Sequence, residues 1–211
     1  MLPLFPLQLV VFPQERLPLH IFEMRYRQLV AECETNGAPF GIPTFIKGEL
    51  GFGTEVRLEK IAKKHPDGKL DIICRGQKVF KIESFYNPMP GKLYAAGEVT
   101  YLNNVDDGLA DQKQRLLKLI NQLYALIGVA YQNINTEELD SYSYAHKVGL
   151  NLEQEYQLLQ MVYESERLNY LIHHLEAIIP VVKGVNKTKE LIQLNGHFKN
   201  FDPLDFEDFK L

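Results

Sequence analysis

Long apolar runs, a secretory leader and cysteines are what this sequence is short of. No stretch approaches the roughly eighteen consecutive apolar residues that a membrane-spanning helix needs, so no membrane association is expected. The N-terminus has no basic segment followed by a continuous apolar one, which argues against secretion and for a cytoplasmic protein. Of the two cysteines, Cys33 falls on the apolar face of a helical pattern and Cys74 in the run Leu70-Asp71-Ile72-Ile73-Cys74. They are expected to be small buried hydrophobes, not a disulfide, since nothing else points to an oxidising compartment. The sequon Asn186-Lys187-Thr188 is accordingly taken as chance.

Motifs that carry chemistry are scarce too. The one tempting glycine-rich loop is Gly48-Glu49-Leu50-Gly51-Phe52-Gly53-Thr54. It has Thr54 where a phosphate-binding loop needs lysine, and it lacks the third glycine of the dinucleotide fingerprint. No Gly-x-Ser-x-Gly elbow supports a nucleophilic serine. His173 and His174 are neighbours on a helical pattern and diverge by about 100°. His173 and Glu176 stand at i, i+3 and can share an ion, but no cysteine or further ligand lies near them. His20, His65, His146 and His197 are scattered along the chain. No catalytic residue, cofactor or metal is therefore expected, and the chain is not expected to be an enzyme.

What remains has the composition of an ordinary globule: 211 residues, 45% apolar and 24% charged. A chain of this length can bury about 70% of its unfolded surface without disulfides or metals. The net charge of −4 argues against nucleic acid as the main partner, because binding phosphate takes clustered cations. Lys60, Lys63, Lys64 and Lys69 are a local exception around one turn, and they keep an RNA reader open as an alternative.

The first thirty residues interleave apolar residues with Pro3, Pro6, Pro13 and Pro18. Each proline fixes φ, removes a donor and pushes its predecessor toward extended geometry, so these residues read as bent edge strands. The period then changes. Phe22, Tyr26, Leu29, Val30 and Cys33 fall on one helical face, and Gly37 stops the helix. Residues 39 to 103 read as short strands. His65-Pro66-Asp67-Gly68 is a hairpin turn, Arg75-Gly76-Gln77 a second turn, and Asn87-Pro88-Met89-Pro90-Gly91 a break before a last strand from Leu93 to Leu102. The fold expected of them is a small, partly closed barrel.

The composition shifts at Asn103 to Gly108, and the period beyond is helical. Leu116, Ile120, Leu123, Ile127 and Ala130 form one stripe. Asp140 to Val148 forms a shorter helix ended by Gly149. Asn151 and Gln154 open another as a capping box. Leu168, Leu171, Ile172, Leu175, Ile178 and Ile179 form the last stripe, with Ser165 as its cap and Pro180 as its stop. Residues 198 to 209 then interleave four phenylalanines with acids. Such a segment is too aromatic for a freely solvated tail. It is expected to dock on its own chain, with a groove on a second copy, and hence a homodimer, as the alternative.

Leu-Pro-Leu-Phe-Pro-Leu at 2–7, Val-Phe-Pro at 11–13 and Leu-Pro-Leu-His-Ile-Phe-Glu-Met-Arg-Tyr at 17–26 are a long ordered string. It resembles the N-terminal, substrate-recognition domain of Lon proteases in its free-standing form. Ser143-Tyr144-Ala145 and Glu166-Arg167-Leu168 are a weaker echo, and the resemblance covers about residues 1 to 180. It implies a PUA-like β pseudo-barrel over 1–104 with one early helix; with the helical lobe over 109–180 and the aromatic, acidic tail over 181–211 read from the residues themselves, the expected fold class is α+β. The resemblance implies a non-enzymatic module that binds unfolded client polypeptides, working with a separate ATP-dependent protease. The candidate polypeptide-binding residues are Phe12, Leu17, Leu19 and Ile21, read as apolar surface left open by proline-rich edge strands, with Arg25 and Arg27 as a polar rim. Two arginines at a helix N-terminus oppose its dipole. The ordinary reading of them is a structural ion pair tying helix to barrel, with the groove rim as the functional one.

Overall fold

The computed structural model describes residues 1–129, 135–136 and 139–197, with residues 190–197 as backbone alone. The tail from residue 198 onward, where docking and a homodimer were expected, lies outside the described residues. So does Ala130 of the first helical stripe.

Six strands carry the first half: β1 (Leu2–Leu4), β2 (Arg16–Ile21), β3 (Phe40–Ile46), β4 (Glu49–Lys64), β5 (Leu70–Tyr86) and β6 (Ala95–Tyr101). Their order is β2-β5-β4-β3-β1-β6, and β6 returns to pair with β5. The ring closes because β5 is 17 residues long. Its first part, Leu70 to Arg75, pairs with β2, and its second part, Phe80 to Tyr86, pairs with β6. Closure leaves few unpaired edges. β2 sits outside the ring with β5 on one flank only.

The hairpin expected at residues 65 to 68 joins β4 to β5. Its Gly68 N–H donates to the His65 carbonyl (2.9 Å), with Gly68 at φ 80°. The turn expected at Arg75-Gly76-Gln77 does not form, and β5 runs straight through it. Gly76 is there for another reason. Its N–H donates to the Glu15 carbonyl (2.9 Å) and its carbonyl accepts from Gln14 (3.0 Å). A Cβ at this position would stand 2.1 Å from the Phe12 carbonyl oxygen. The glycine marks a close approach of two backbones, which in sequence looks the same as a turn.

Helix α1 (Met24–Asn36) buries Tyr26, Leu29, Val30 and Cys33 against the barrel and ends on Gly37 at φ 66°. Phe22 was expected on that face. It lies outside it, 59% exposed, because Glu23 is still extended at φ −73°, ψ 137° and the helical period begins only afterwards.

The lobe consists of α2 (Ala110–Ile127), α3 (Tyr142–Ala145), α4 (Leu152–Leu159) and α5 (Glu164–His197). Leu116, Ile120 and Leu123 of α2 pack on Leu168, Leu171, Leu175 and Ile179 of α5, while Ile127 is exposed. The capping box of α4 forms in both directions: Gln154 N–H to Asn151 Oδ1 and Asn151 N–H to Gln154 Oε1, each 2.9 Å. The helix expected over Asp140 to Val148 shrinks to the four residues of α3. Ser165 does not cap α5. Asp107, from the strand-to-lobe connection, accepts both the Ser165 N–H and its hydroxyl at 2.8 Å.

Pro180 does not stop the last helix either, since α5 passes through it to His197. One backbone bond is lost at such a proline. The packing continues past it, however: Val182 joins the lobe core, and the Asn186 side chain donates to the Leu126 carbonyl at the end of α2 (2.6 Å).

The lobe also encloses an ion pair. Arg167 and Glu164 meet at 2.8 Å with side chains 4% exposed. Glu164 accepts from the Ser141 N–H and hydroxyl, both at 2.7 Å. Arg167 donates to the carbonyls of Met161 (2.7 Å) and Val162 (3.0 Å) and lies 4.4 Å over the Tyr142 ring. Such a pair is tolerated inside because each charge is fully hydrogen-bonded.

Barrel and lobe meet along residues 9 to 15. Val11 belongs to the barrel core with Phe5, whereas Val10 and Phe12 belong to the lobe core. The carbonyls between them are held by buried hydroxyls: Thr44 on Leu9 (3.0 Å) and Thr54 on Val11. The Phe12 ring stacks on Tyr142 (5.2 Å) and lies 4.8 Å from His146. His146 bridges Glu155 of α4 (2.7 Å) and Glu15 (3.2 Å).

Three outcomes follow. Arg167→Ala leaves Glu164 buried and unpaired and lowers stability by about 3–5 kcal/mol in chemical denaturation. Gly76→Ala forces Phe12 away from β5 and costs about 1–3 kcal/mol in the same assay. Bonds to Glu15 and then Glu155 raise the His146 pKa from 6.5 to about 9. Its stabilisation is full below pH 6.5 and is lost as pH rises through about 9. The denaturation midpoint therefore drops across that window, and His146→Gln flattens the drop.

Candidate functional site

β2 decides the fate of the expected apolar surface. Its pairing with β5 sets Leu17 opposite Cys74, Leu19 opposite Ile72 and Ile21 opposite Leu70. With side chains alternating along a strand, Leu17, Leu19 and Ile21 turn toward the barrel core, while Arg16, Pro18 and His20 face out. Ile21 is 1% exposed, as is Phe12 in the seam with the lobe. Neither presents a surface. Leu17 and Leu19 are half-buried and pack on the barrel core. A period of two was visible in the sequence. The face it buries was set by pairing with a strand some fifty residues away, which no local pattern reveals.

Arg25 and Arg27 do stay at the surface, and α1 sends them in different directions. Arg25 forms a local ion pair with Glu23 (2.7 Å) and covers the Tyr26 ring (4.6 Å). Arg27 donates to the Met24 sulfur (3.4 Å) and reaches over Gly68 of the β4–β5 hairpin. The ion pair expected to tie helix to barrel is thus a contact within the start of the helix.

Each arginine edges a groove. On one side of α1, Pro6, Leu7, Tyr26, Phe45 and Phe85 line a cavity of about 430 Å³ that includes Arg25. On the other, Met24, Ala31, Leu70 and Leu93 line one of about 640 Å³ that includes Arg27. Met24 is 64% and Leu93 56% exposed, and Phe45 and Phe85 are exposed as well. The second groove has a built wall. Leu93 is presented by its N–H bond to Gln28 (3.0 Å), and the loop is pinned to α1 where Lys92 and Tyr94 bind Glu32 at 2.8 and 2.6 Å. Those two partners hold the Glu32 carboxyl below its ordinary pKa. The bond from Lys92 and the one from Tyr94 are each stronger to the ionised carboxylate.

These apolar residues were missed in the sequence. For Met24 a signal was present, since it stands off the Tyr26–Leu29–Cys33 face; Leu93 was expected to lead the last strand, which begins only at Ala95. Apolar residues outside an inner stripe are surface by elimination.

The chemistry available here is that of binding. Cys33 and Cys74 lie in the barrel core, and burial pushes their thiols up to about 11 and about 12, the opposite of an activated nucleophile. His173 and Glu176 do not share a site, because Glu176 holds Arg115 at 2.5 Å. His174 bonds the Val148 carbonyl at 3.1 Å. In the basic cluster, Lys64 pairs with Glu34 (3.0 Å) and Lys69 with Asp67 (2.7 Å), which offsets part of its charge. Among the described residues, one set has the spacing of metal ligands: His20, His65 and Asp71. The first two looked scattered in the sequence.

This arrangement, a closed barrel with one helix laid across it and a helical lobe behind, is the fold of Lon N-terminal domains. The Lon N-terminal domain protein from Xanthomonas campestris matches with a TM-score of 0.65 and 28% identity, over 82% of this chain and 96% of that one. The N-terminal domain of the Mycobacterium avium complex Lon protease shares the fold at a TM-score of 0.61 and 17% identity, over 83% of this chain and 97% of that one. The family model of the ATP-dependent protease La (LON) substrate-binding domain matches residues 1–181, and the chain belongs to that family. No curated protein matches it. No helix among the described residues is long and apolar enough to cross a membrane.

Burial of both thiols has a direct chemical consequence. Ellman's reagent at pH 8 should find neither in the native protein and both after denaturation. Rapid titration of one thiol in the native state would contradict the placement of Cys33 and Cys74.

Proposed function

We propose that this chain is a substrate-recognition module that holds apolar stretches of unfolded client polypeptides in the two grooves flanking α1. It carries out no catalytic step of its own. The observation that supports this most is the presence of Met24, Leu93, Phe45 and Phe85 at the surface of those grooves, in a member of the Lon substrate-binding family. Exposed apolar patches mark interaction sites. Burying such a side chain fully is worth about 1.5–3 kcal/mol. The cost of association reduces four of them to weak binding, with dissociation constants on the order of micromolar. That suits permissive recognition, because apolar contacts carry affinity with little sequence preference. Arg25, Arg27 and the Lys64–Glu34 pair form the polar rim that keeps the grooves soluble.

In this proposal the barrel (1–104) carries the grooves and the lobe (109–180) braces it. The client held there would pass to ATPase and Ser-Lys protease modules of the Lon kind. The double variants Met24→Ser/Leu93→Ser and Phe45→Ser/Phe85→Ser test the grooves. Fluorescence titration with reduced, carboxymethylated casein should show saturable binding to the parent protein, weakened about tenfold or more in at least one double variant. No saturation at high micromolar concentration, or no effect of either variant, would refute the assignment. The RNA alternative predicts instead binding to a single-stranded oligonucleotide that falls steeply with salt.

A further inference from the structure

We propose that His20, His65 and Asp71 form a surface site for a divalent transition-metal ion of the zinc class. Three separate pieces of chain deliver the ligands. His20 comes from β2 and stands opposite Asp71 of β5 in the strand register. His65 comes from the β4–β5 turn, where its N–H donates to the Lys69 carbonyl and its own carbonyl accepts from Gly68, both at 2.9 Å. The Asp71 carboxylate lies between the two rings: Oδ1 is 2.6 Å from His20 Nδ1, and Oδ2 is 2.7 Å from His65 Nε2. The rings meet edge to face at 5.7 Å.

The ligand atoms fall within 4.8 Å of one another. Ligands of a zinc ion sit about 2.0–2.2 Å from the metal, so closure takes a contraction that three partly exposed side chains reach by rotation. Two imidazole nitrogens with one carboxylate oxygen is a donor set for zinc, nickel or copper. It is poor for calcium or magnesium, which take mostly oxygen. Three protein ligands leave a further position open to water or to a group from outside. Backbone pairing holds two of the three ligands in register, so little ordering is needed on binding. The bound ion would fasten β2, which has one neighbouring strand only, to the hairpin at the rim of the larger groove.

The test uses untagged protein and zinc, cobalt and calcium salts. Competition with a chromophoric chelator should give one zinc bound per chain, and cobalt should develop visible absorption bands of an ordered coordination sphere. Zinc should also raise the melting temperature. His20→Ala, His65→Ala and Asp71→Asn should each weaken zinc binding about tenfold or more and abolish the thermal shift. His173→Ala and His146→Gln should leave both unchanged. The substituted side chains are on the surface, and circular dichroism verifies that each variant is folded. Zinc binding no tighter than that of a His20→Ala/His65→Ala double variant would overturn the site. So would binding lost in His146→Gln instead, or calcium bound as tightly as zinc.

Discussion

Everything in this molecule is arranged around the line where Val10, Val11 and Phe12 pass between two cores. Consecutive side chains of an extended segment point to opposite sides. Here that alternation sends Val11 into the barrel and its neighbours into the lobe. The backbone of the segment is itself buried, so its carbonyls need partners. Thr44 and Thr54 supply them from the barrel. Gly76 lets β5 come close enough to pair with Gln14 and Glu15 just past Phe12. A segment so constrained transmits the position of α3 to the barrel through Phe12, Tyr142 and His146. The buried Arg167–Glu164 pair fixes the lobe's side of the same seam, because Ser141, next to Tyr142, is bonded to both.

That geometry explains what the sequence did and did not disclose. Features governed by a few adjacent residues were legible: the Pro66-Asp67-Gly68 hairpin, the Gly37 stop, the Asn151–Gln154 capping box and the two stripes of the α2–α5 pair. The extended, proline-broken character of the N-terminus was legible as well. Features governed by a distant partner were not. Phe12 and Ile21 looked like open apolar surface because prolines forecast edge strands, yet the faces they occupy are covered by the lobe and by α1's side of the barrel. Gly76 and Pro180 each carry a local meaning, turn and stop, that tertiary packing overrode. Asp107 took the capping role that Ser165 held on local pattern alone.

The surface proposed for binding follows the same division. Arg25 and Arg27 were identified from their clash with a helix dipole, a local argument, and both are at the surface. Their separation onto opposite sides of α1 follows from the helical period of 3.6 residues, as does the placing of Met24 away from the core. The second wall of each groove comes from elsewhere: the β3–β4 and β5–β6 ends on one side, and the hairpin and the Lys92–Leu93 loop on the other. α1 therefore acts as a partition with an apolar channel on either side, anchored below by Tyr26, Leu29 and Cys33. Family membership places the chain among Lon substrate-binding domains, and the proposed site is built on this partition.

The exposed flank of β2 bears on how the protein behaves at high concentration. A strand with one bare side offers donors and acceptors to any passing chain, and is the usual seed of runaway strand-on-strand stacking. Pro18 sits in the middle of that strand and faces outward, with Arg16 and His20 on the same face. The missing amide and the charged and imidazole neighbours make the flank a poor template for fibre growth. Open apolar grooves beside α1 and a bare strand flank can thus coexist in one molecule, because the flank itself is built to discourage further pairing.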